Sequence, residues 1–109
     1  MSLKKKNKYF RDMAALAHER ELKVALGELH SCFKLWKKGE VSAFDLNQDI
    51  HVFHDGKSRD IYKLYTMGEP QMSVAYAIAS GILTEAEINL EYTQEIQATI
   101  DSFRGVRNK

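Results

Sequence analysis

Residues 8–38 read KYFRDMAALAHERELKVALGELHSCFKLWKK, and this stretch decides the fold class. Its apolar residues recur mostly at steps of three and four, the spacing of one face of an amphipathic helix. They are Phe10, Met13, Leu16, Ala17, Leu22, Val24, Leu26, Leu29, Phe33 and Trp36. Lys37 and Lys38 precede Gly39; the cations complement the last carbonyls of a helix, and glycine takes the left-handed position after it. The stretch predicts one long N-terminal helix that ends at Gly39.

The next segment predicts two shorter helices. Ser42 with Asp45 three residues later resembles a capping box, which marks a helix start. Gly56 is expected to end this helix in a sharp turn. Ser58 is then a candidate N-cap for a third helix, which Gly68 closes.

The last third of the chain predicts two more helices. Pro70 suits the first turn of a helix that Gly81 ends, and this helix is apolar on almost every side. Thr84 with Glu87 forms a second capping box, and the fifth helix runs to Phe103. No stretch alternates with period two. The sequence therefore predicts an all-α fold, a compact bundle of about five helices with a long N-terminal helix.

Length and composition bound the class of protein. The 109 residues predict a single helical domain over residues 1–109, with residues 1–7 as a flexible basic tail. A net charge of +1 does not indicate a nucleic-acid or membrane partner. No segment is apolar for long enough to cross a bilayer. The single cysteine suits a reducing compartment, so a cytoplasmic protein is expected.

Polar side chains crowd together in residues 50–65, IHVFHDGKSRDIYKLY. On a helix, Asn47, His51 and His54 form a polar stripe beside an apolar one. We name these and their neighbours the polar cluster. Its members are Asn47, His51, His54, Asp55, Arg59, Asp60 and Tyr62.

Three interpretations of the polar cluster are open. His51, His54 and Asp55 could hold a metal ion, but a third and fourth protein ligand are not evident. A histidine oriented by Asp55 could act as a general base, but no nucleophile accompanies it. In the structural interpretation, a histidine donates to Asn47 or to a backbone carbonyl, and Asp55 pairs with Arg59 across the turn. The structural interpretation is preferred, and no cofactor is expected.

The run from Leu35 to Glu87 resembles a family of small uncharacterised bacterial proteins, some of them carried on mobile gene cassettes. The matching motifs are WKKGE at 36–40, IHVFHDG at 50–56 and VAYAIASGILT at 74–84. The resemblance implies a compact helical fold, with no known activity and no catalytic residues.

The preferred function is a cytoplasmic protein-interaction module, with a homodimer as one form, because the long first helix has a wide apolar surface. The alternative is a small enzyme, or a ligand-binding or metal-binding protein, that uses His51, His54, Asp55 and Arg59. A nucleic-acid accessory protein that uses the N-terminal lysines is less favoured, because no second basic stripe supports it.

Overall fold

The first helix dominates the computed structural model, which describes residues 2–108 and the side chains of residues 2–105. This helix, α1, runs over Leu3–Lys37. Its 35 residues span about 52 Å at 1.5 Å per residue, close to the longest dimension of the molecule, 56 Å. Gly39 follows it with a positive φ of 80°. The long N-terminal helix is confirmed, and the lysine-rich segment that we expected as a tail forms its first turns.

The rest of the described chain is also helical. In order it forms α2 (Ala43–Phe53), a π-helical turn (His54–Ser58), α3 (Arg59–Thr66), α4 (Pro70–Ala79), a 3-10 turn (Glu85–Glu87), α5 (Leu90–Glu95) and α6 (Gln97–Asn108). Residues 2–108 contain no strand, so the all-α bundle is confirmed. Both capping boxes form, at Ser42 and at Thr84. None of the helices between residues 2 and 108 is long and apolar enough to span a membrane.

The main core lies in one half of the molecule, which we call the base: residues 3–21 of α1 with residues 70–108. Phe10 and Ala17 of α1 are fully buried there, as are Val74 of α4 and Ile100 of α6. The Phe10 ring meets the Tyr92 ring edge to face, with centroids 5.5 Å apart. Alanines on α1 and α4 lack bulk, so the two helices can approach closely.

The other half is a thin layer that we call the arm: residues 22–66, in which the second half of α1 packs against α2 and α3. Its buried apolar side chains are Ala25, Leu46 and Ile61. Each helix of this thin layer is covered by its neighbours on one side only. The arm therefore keeps much apolar surface in contact with solvent.

The sharp turn predicted at Gly56 is wrong. A π turn over His54–Ser58 joins α2 to α3, and Gly56 lacks the positive φ that Gly39 and Gly81 have. A π turn accommodates an extra residue without ending the helix. Ser58 consequently has helical dihedral angles, φ −60° and ψ −46°, and its side chain caps nothing.

The single fifth helix predicted from Thr84 to Phe103 is also wrong. The chain leaves the helical conformation at Ile88, with φ −106° and ψ 138°, and again at Ile96, where α5 ends. Both isoleucines are 5% exposed. The two breaks let the chain bend around α1 and α4, and Ile88, Tyr92, Ile96 and Ile100 are all buried there.

An ion pair ties α1 to the segment before α5. The Arg20 guanidinium donates to both carboxylate oxygens of Glu87, at 2.5 and 3.0 Å, and to the Ile82 carbonyl at 3.0 Å. Glu87 also accepts from the Thr84 amide at 2.8 Å. Chiefly because of the bond from Arg20, and then that from Thr84, the pKa of Glu87 falls to about 2.

Glu87→Gln is expected to flatten the pH dependence of stability in acid. Folding lowers the pKa of Glu87, so its ionised form stabilises the fold above the ordinary value of 4.5, and this is lost as pH falls towards about 2. The free energy of unfolding in urea, measured across this range, should fall less in the variant than in the wild type. Glu91→Gln, which removes an exposed carboxylate of α5, is the control. Equal slopes for both variants would contradict the prediction.

Candidate functional site

The seven side chains of the polar cluster are all exposed. They are Asn47, His51, His54, Asp55, Arg59, Asp60 and Tyr62. Among the described residues, no hydrogen bond or ion pair joins two of them. The predicted pairing of Asp55 with Arg59, and the predicted histidine hydrogen bond, are therefore wrong. The physical reason is the π turn: it keeps α2 and α3 in one continuous helical run, so there is no corner for such a network to hold.

The structure does not assemble the predicted metal ligands either. Within the part of the chain that the structure describes, no group of three or more His, Cys, Asp or Glu side chains is placed to hold a metal ion. His51 of α2 and His54 of the π turn are exposed to solvent, and no third ligand converges on them with Asp55.

Part of the polar cluster does share a surface. His54, Arg59 and Tyr62 line a shallow groove of about 380 Å³ on the outer side of the π turn, together with Lys63 and Met67. The groove is open, and the exposed fraction of Tyr62 is 60%. It brings together the donors of His54, Arg59 and Lys63 and the aromatic ring of Tyr62, groups that suit the binding of a ligand.

A larger groove of about 570 Å³ lies between α1, α3 and α4. Its charged lining consists of Arg20, Glu21, Lys57 and Asp60. Burial raises the pKa of Glu21, and the charge of Lys57 opposes that rise. Arg20 is already bonded to Glu87, so Glu21, Lys57 and Asp60 are the other charged side chains that the groove offers to a ligand.

Beside this groove lies a tyrosine that sequence analysis missed. The Tyr65 ring stacks on His18, with centroids 5.2 Å apart, and its hydroxyl is buried without a hydrogen bond in the described residues. Burial, and then the nearby Glu21 carboxylate, raise the pKa of Tyr65. No sequence signal could have found this group, because its members lie more than 40 residues apart along the chain.

The arm also carries an uncovered apolar face, which we define as Leu22, Leu26, Phe33, Trp36 and Ile50. Leu26, Phe33 and Trp36 are 47%, 39% and 43% exposed, and Ile50 of α2 is 37% exposed. Together with Leu29, the α1 residues of this face follow one another at steps of four, three, four and three. This is the heptad spacing of helices that pack against other helices. Such spacing gives one continuous stripe along α1.

The fold explains why this face stays open. The helices of the base pack on α1 on the side of Ala17, and α2 covers the side of Ala25. Asp49 and Val52 of α2 turn to the opposite face of the arm, where they share a groove with Cys32. Nothing in residues 2–108 lies over the apolar face.

The N-terminal lysines are partly engaged within the chain. Lys6 pairs with Glu95 at 2.6 Å, and Lys8 pairs with Asp12 at 2.8 Å. If the N-terminal lysines bound phosphate, Lys6 and Lys8 would have to leave these ion pairs.

Comparison of the chain with protein-family models, with curated proteins and with solved structures gave no match. The resemblance to small bacterial helical proteins therefore stays a prediction.

Proposed function

We propose that the chain is a protein-interaction module whose apolar face of the arm docks a helix of a protein partner. The observation that carries the proposal is the heptad stripe on α1, whose large side chains remain two-fifths exposed or more at Leu26 and Trp36. A contiguous apolar patch of this kind marks an interaction surface more often than a passive one.

The composition of the face supports the same function. Phe33 and Trp36 are aromatic anchors, and aromatic side chains dominate the energetics of protein interfaces. Burying the remaining exposed part of each large side chain would contribute about 1 kcal/mol. A docked helix supplies the missing layer over the arm. In a homodimer, a second copy of the chain would supply that helix.

Ligand binding at the polar cluster is the alternative. It is supported by the groove that His54, Arg59 and Tyr62 share beside the π turn, because π turns occur frequently at functional sites. The exposure of all its members leaves this groove without a buried polar group to fix a ligand, so it carries less weight than the apolar face.

Docking is expected to change the fluorescence of Trp36, the only tryptophan of the chain. The test peptide is an amphipathic helix with leucine at heptad positions a and d and glutamine at positions e and g. Binding of this peptide, or of a second copy of the chain at high concentration, should cover the indole and shift its emission to the blue. Phe33→Glu should weaken this binding about tenfold or more, because it places a charge at the centre of the face.

Val52→Glu is the matched control, since Val52 is an exposed apolar residue on the opposite face of the arm, 61% exposed. It should leave the binding unchanged. A chain that stays monomeric at every concentration in sedimentation velocity, and whose Trp36 emission does not respond to the peptide, would overturn the proposed function.

A further inference from the structure

The apolar face of the arm is bordered by basic residues along its α1 edge. Lys23, His30 and Lys37 are seven residues apart, so they form a line beside the heptad stripe, and Lys34 lies next to it. All four are exposed, and none takes part in an ion pair within the described residues. The carboxylate nearest to this line on α1 is Glu19, one turn before Lys23.

The opposite edge, on α2 and the π turn, also presents hydrogen-bond donors. Its side chains include His51, His54 and Arg59 beside the carboxylate of Asp55, whereas Lys57 lines the grooves on the other side of the π turn. His54 and Arg59 are exposed there with Tyr62. His54 and Arg59 of the polar cluster thus lie at the second border of the apolar face, so both borders present hydrogen-bond donors, with positive charge at Lys23, Lys37 and Arg59.

The charges along these borders distinguish a second copy of the chain from other proteins that could occupy the apolar face. Two copies packed antiparallel through α1, centred on His30, would bring Lys23 of one copy beside Lys37 of the other. Stacking α1 on α2 of the other copy would place the lysines next to Arg59. Both arrangements juxtapose like charges, which is unfavourable and selects against these pairings.

We infer that the occupant of the apolar face is an amphipathic helix of another protein, with leucine-like residues along one stripe and aspartate or glutamate along both edges. The inference rests on the proposed function and names the chemistry of its partner. The apolar stripe supplies most of the affinity, and the acidic edges meet Lys23, Lys37 and Arg59 and so fix the orientation and the choice of partner.

The test uses three synthetic peptides of three heptads, each with leucine at a and d. The edge positions e and g carry glutamate in one peptide, glutamine in the second and lysine in the third. The glutamate peptide repels itself, so it enters the titration as a monomer. We expect it to bind about tenfold tighter than the glutamine peptide, because several exposed charge pairs together should contribute this much affinity. This advantage should disappear in high salt, which screens the pairs. The lysine peptide should bind least.

Variants of the full chain separate charge from apolar contact. Replacing Lys23 and Lys37 by glutamine should remove most of the preference for glutamate edges and leave the binding of the glutamine peptide unchanged. Replacing the exposed Lys4 and Lys5 of α1 by glutamine is the matched control and should keep the preference.

Equal affinity for the glutamate and lysine peptides would overturn the inference and leave the proposed function standing. If the chain forms a stable dimer that Phe33→Glu dissociates, the inference would also be overturned and the proposed function kept, because a second copy of the chain would then occupy the apolar face. A response of Trp36 to anionic lipid vesicles or to single-stranded RNA, but to none of the peptides, would overturn both.

Discussion

Phe10→Ala is expected to lower the free energy of unfolding by about 3–5 kcal/mol, the usual loss for a large aromatic side chain removed from a packed core. The Phe10 side chain is 0% exposed, and its ring contacts those of Tyr9 and Tyr92. A small domain is stable by only about 5–15 kcal/mol in total. Urea unfolding followed by circular dichroism should therefore show the variant close to unfolding even without urea.

Phe44→Ala is the matched control, because it removes the same side chain from a position that is 88% exposed. It should change the free energy of unfolding by no more than about 0.5 kcal/mol. Equal losses for the two variants would contradict the assignment of the core to the base. A lower denaturant midpoint with an unchanged m value would indicate that Phe10→Ala acts on the native packing.

The features that the sequence predicts well are those set by neighbours along the chain. The two capping boxes, Ser42 with Asp45 and Thr84 with Glu87, are examples. Their hydrogen bonds join residues three positions apart, so the pattern is visible in the sequence. The end of α1 at Gly39 is local in the same sense. The repeat of apolar residues predicts the helix α1 itself because a helix has a fixed period.

The failures of prediction are set by tertiary packing. A glycine can end a helix or continue it, and at Gly56 the apolar residues on both sides, Leu46 and Ile61, are buried against α1 by one continuous helical run. In the last third of the chain, the spacing of Ile88, Ile96 and Ile100 suits a straight helix. The need to bury all three in a core formed with α1 and α4 bends it instead.

The candidate site was misjudged for a related reason. Chemical variety in residues 50–65 drew attention to the polar cluster, although its side chains are exposed and unbonded to one another. The stripe from Leu22 to Trp36 is visible in the sequence as an amphipathic pattern, and the width of the apolar surface of the first helix predicts a protein-interaction module, but the sequence does not show which part of that surface stays open. Only the fold shows that α4 ends before it can cover the second half of α1.

Hydrogen exchange is expected to divide the molecule into two parts. Amide protons of α2 should exchange roughly a hundredfold or more faster than those of α4, because opening the arm exposes few buried side chains. In the arm these are Ala25, Leu46 and Ile61, whereas α4 alone buries five residues, among them Val74 and Ile78. Exchange followed by mass spectrometry with peptic fragments of α2 and α4 measures the difference.

The same measurement connects stability with function. If a partner helix lies over the apolar face of the arm, it supplies the layer that α2 lacks, so exchange in α2 should slow when the glutamate peptide binds, while exchange in α4 should not change. Phe33→Glu should abolish this protection, and Val52→Glu should keep it. Uniform protection of α2 and α4 in the free chain would contradict the division. It would mean that the arm is stable alone, and that its exposed apolar face is not the part of the molecule that a partner completes.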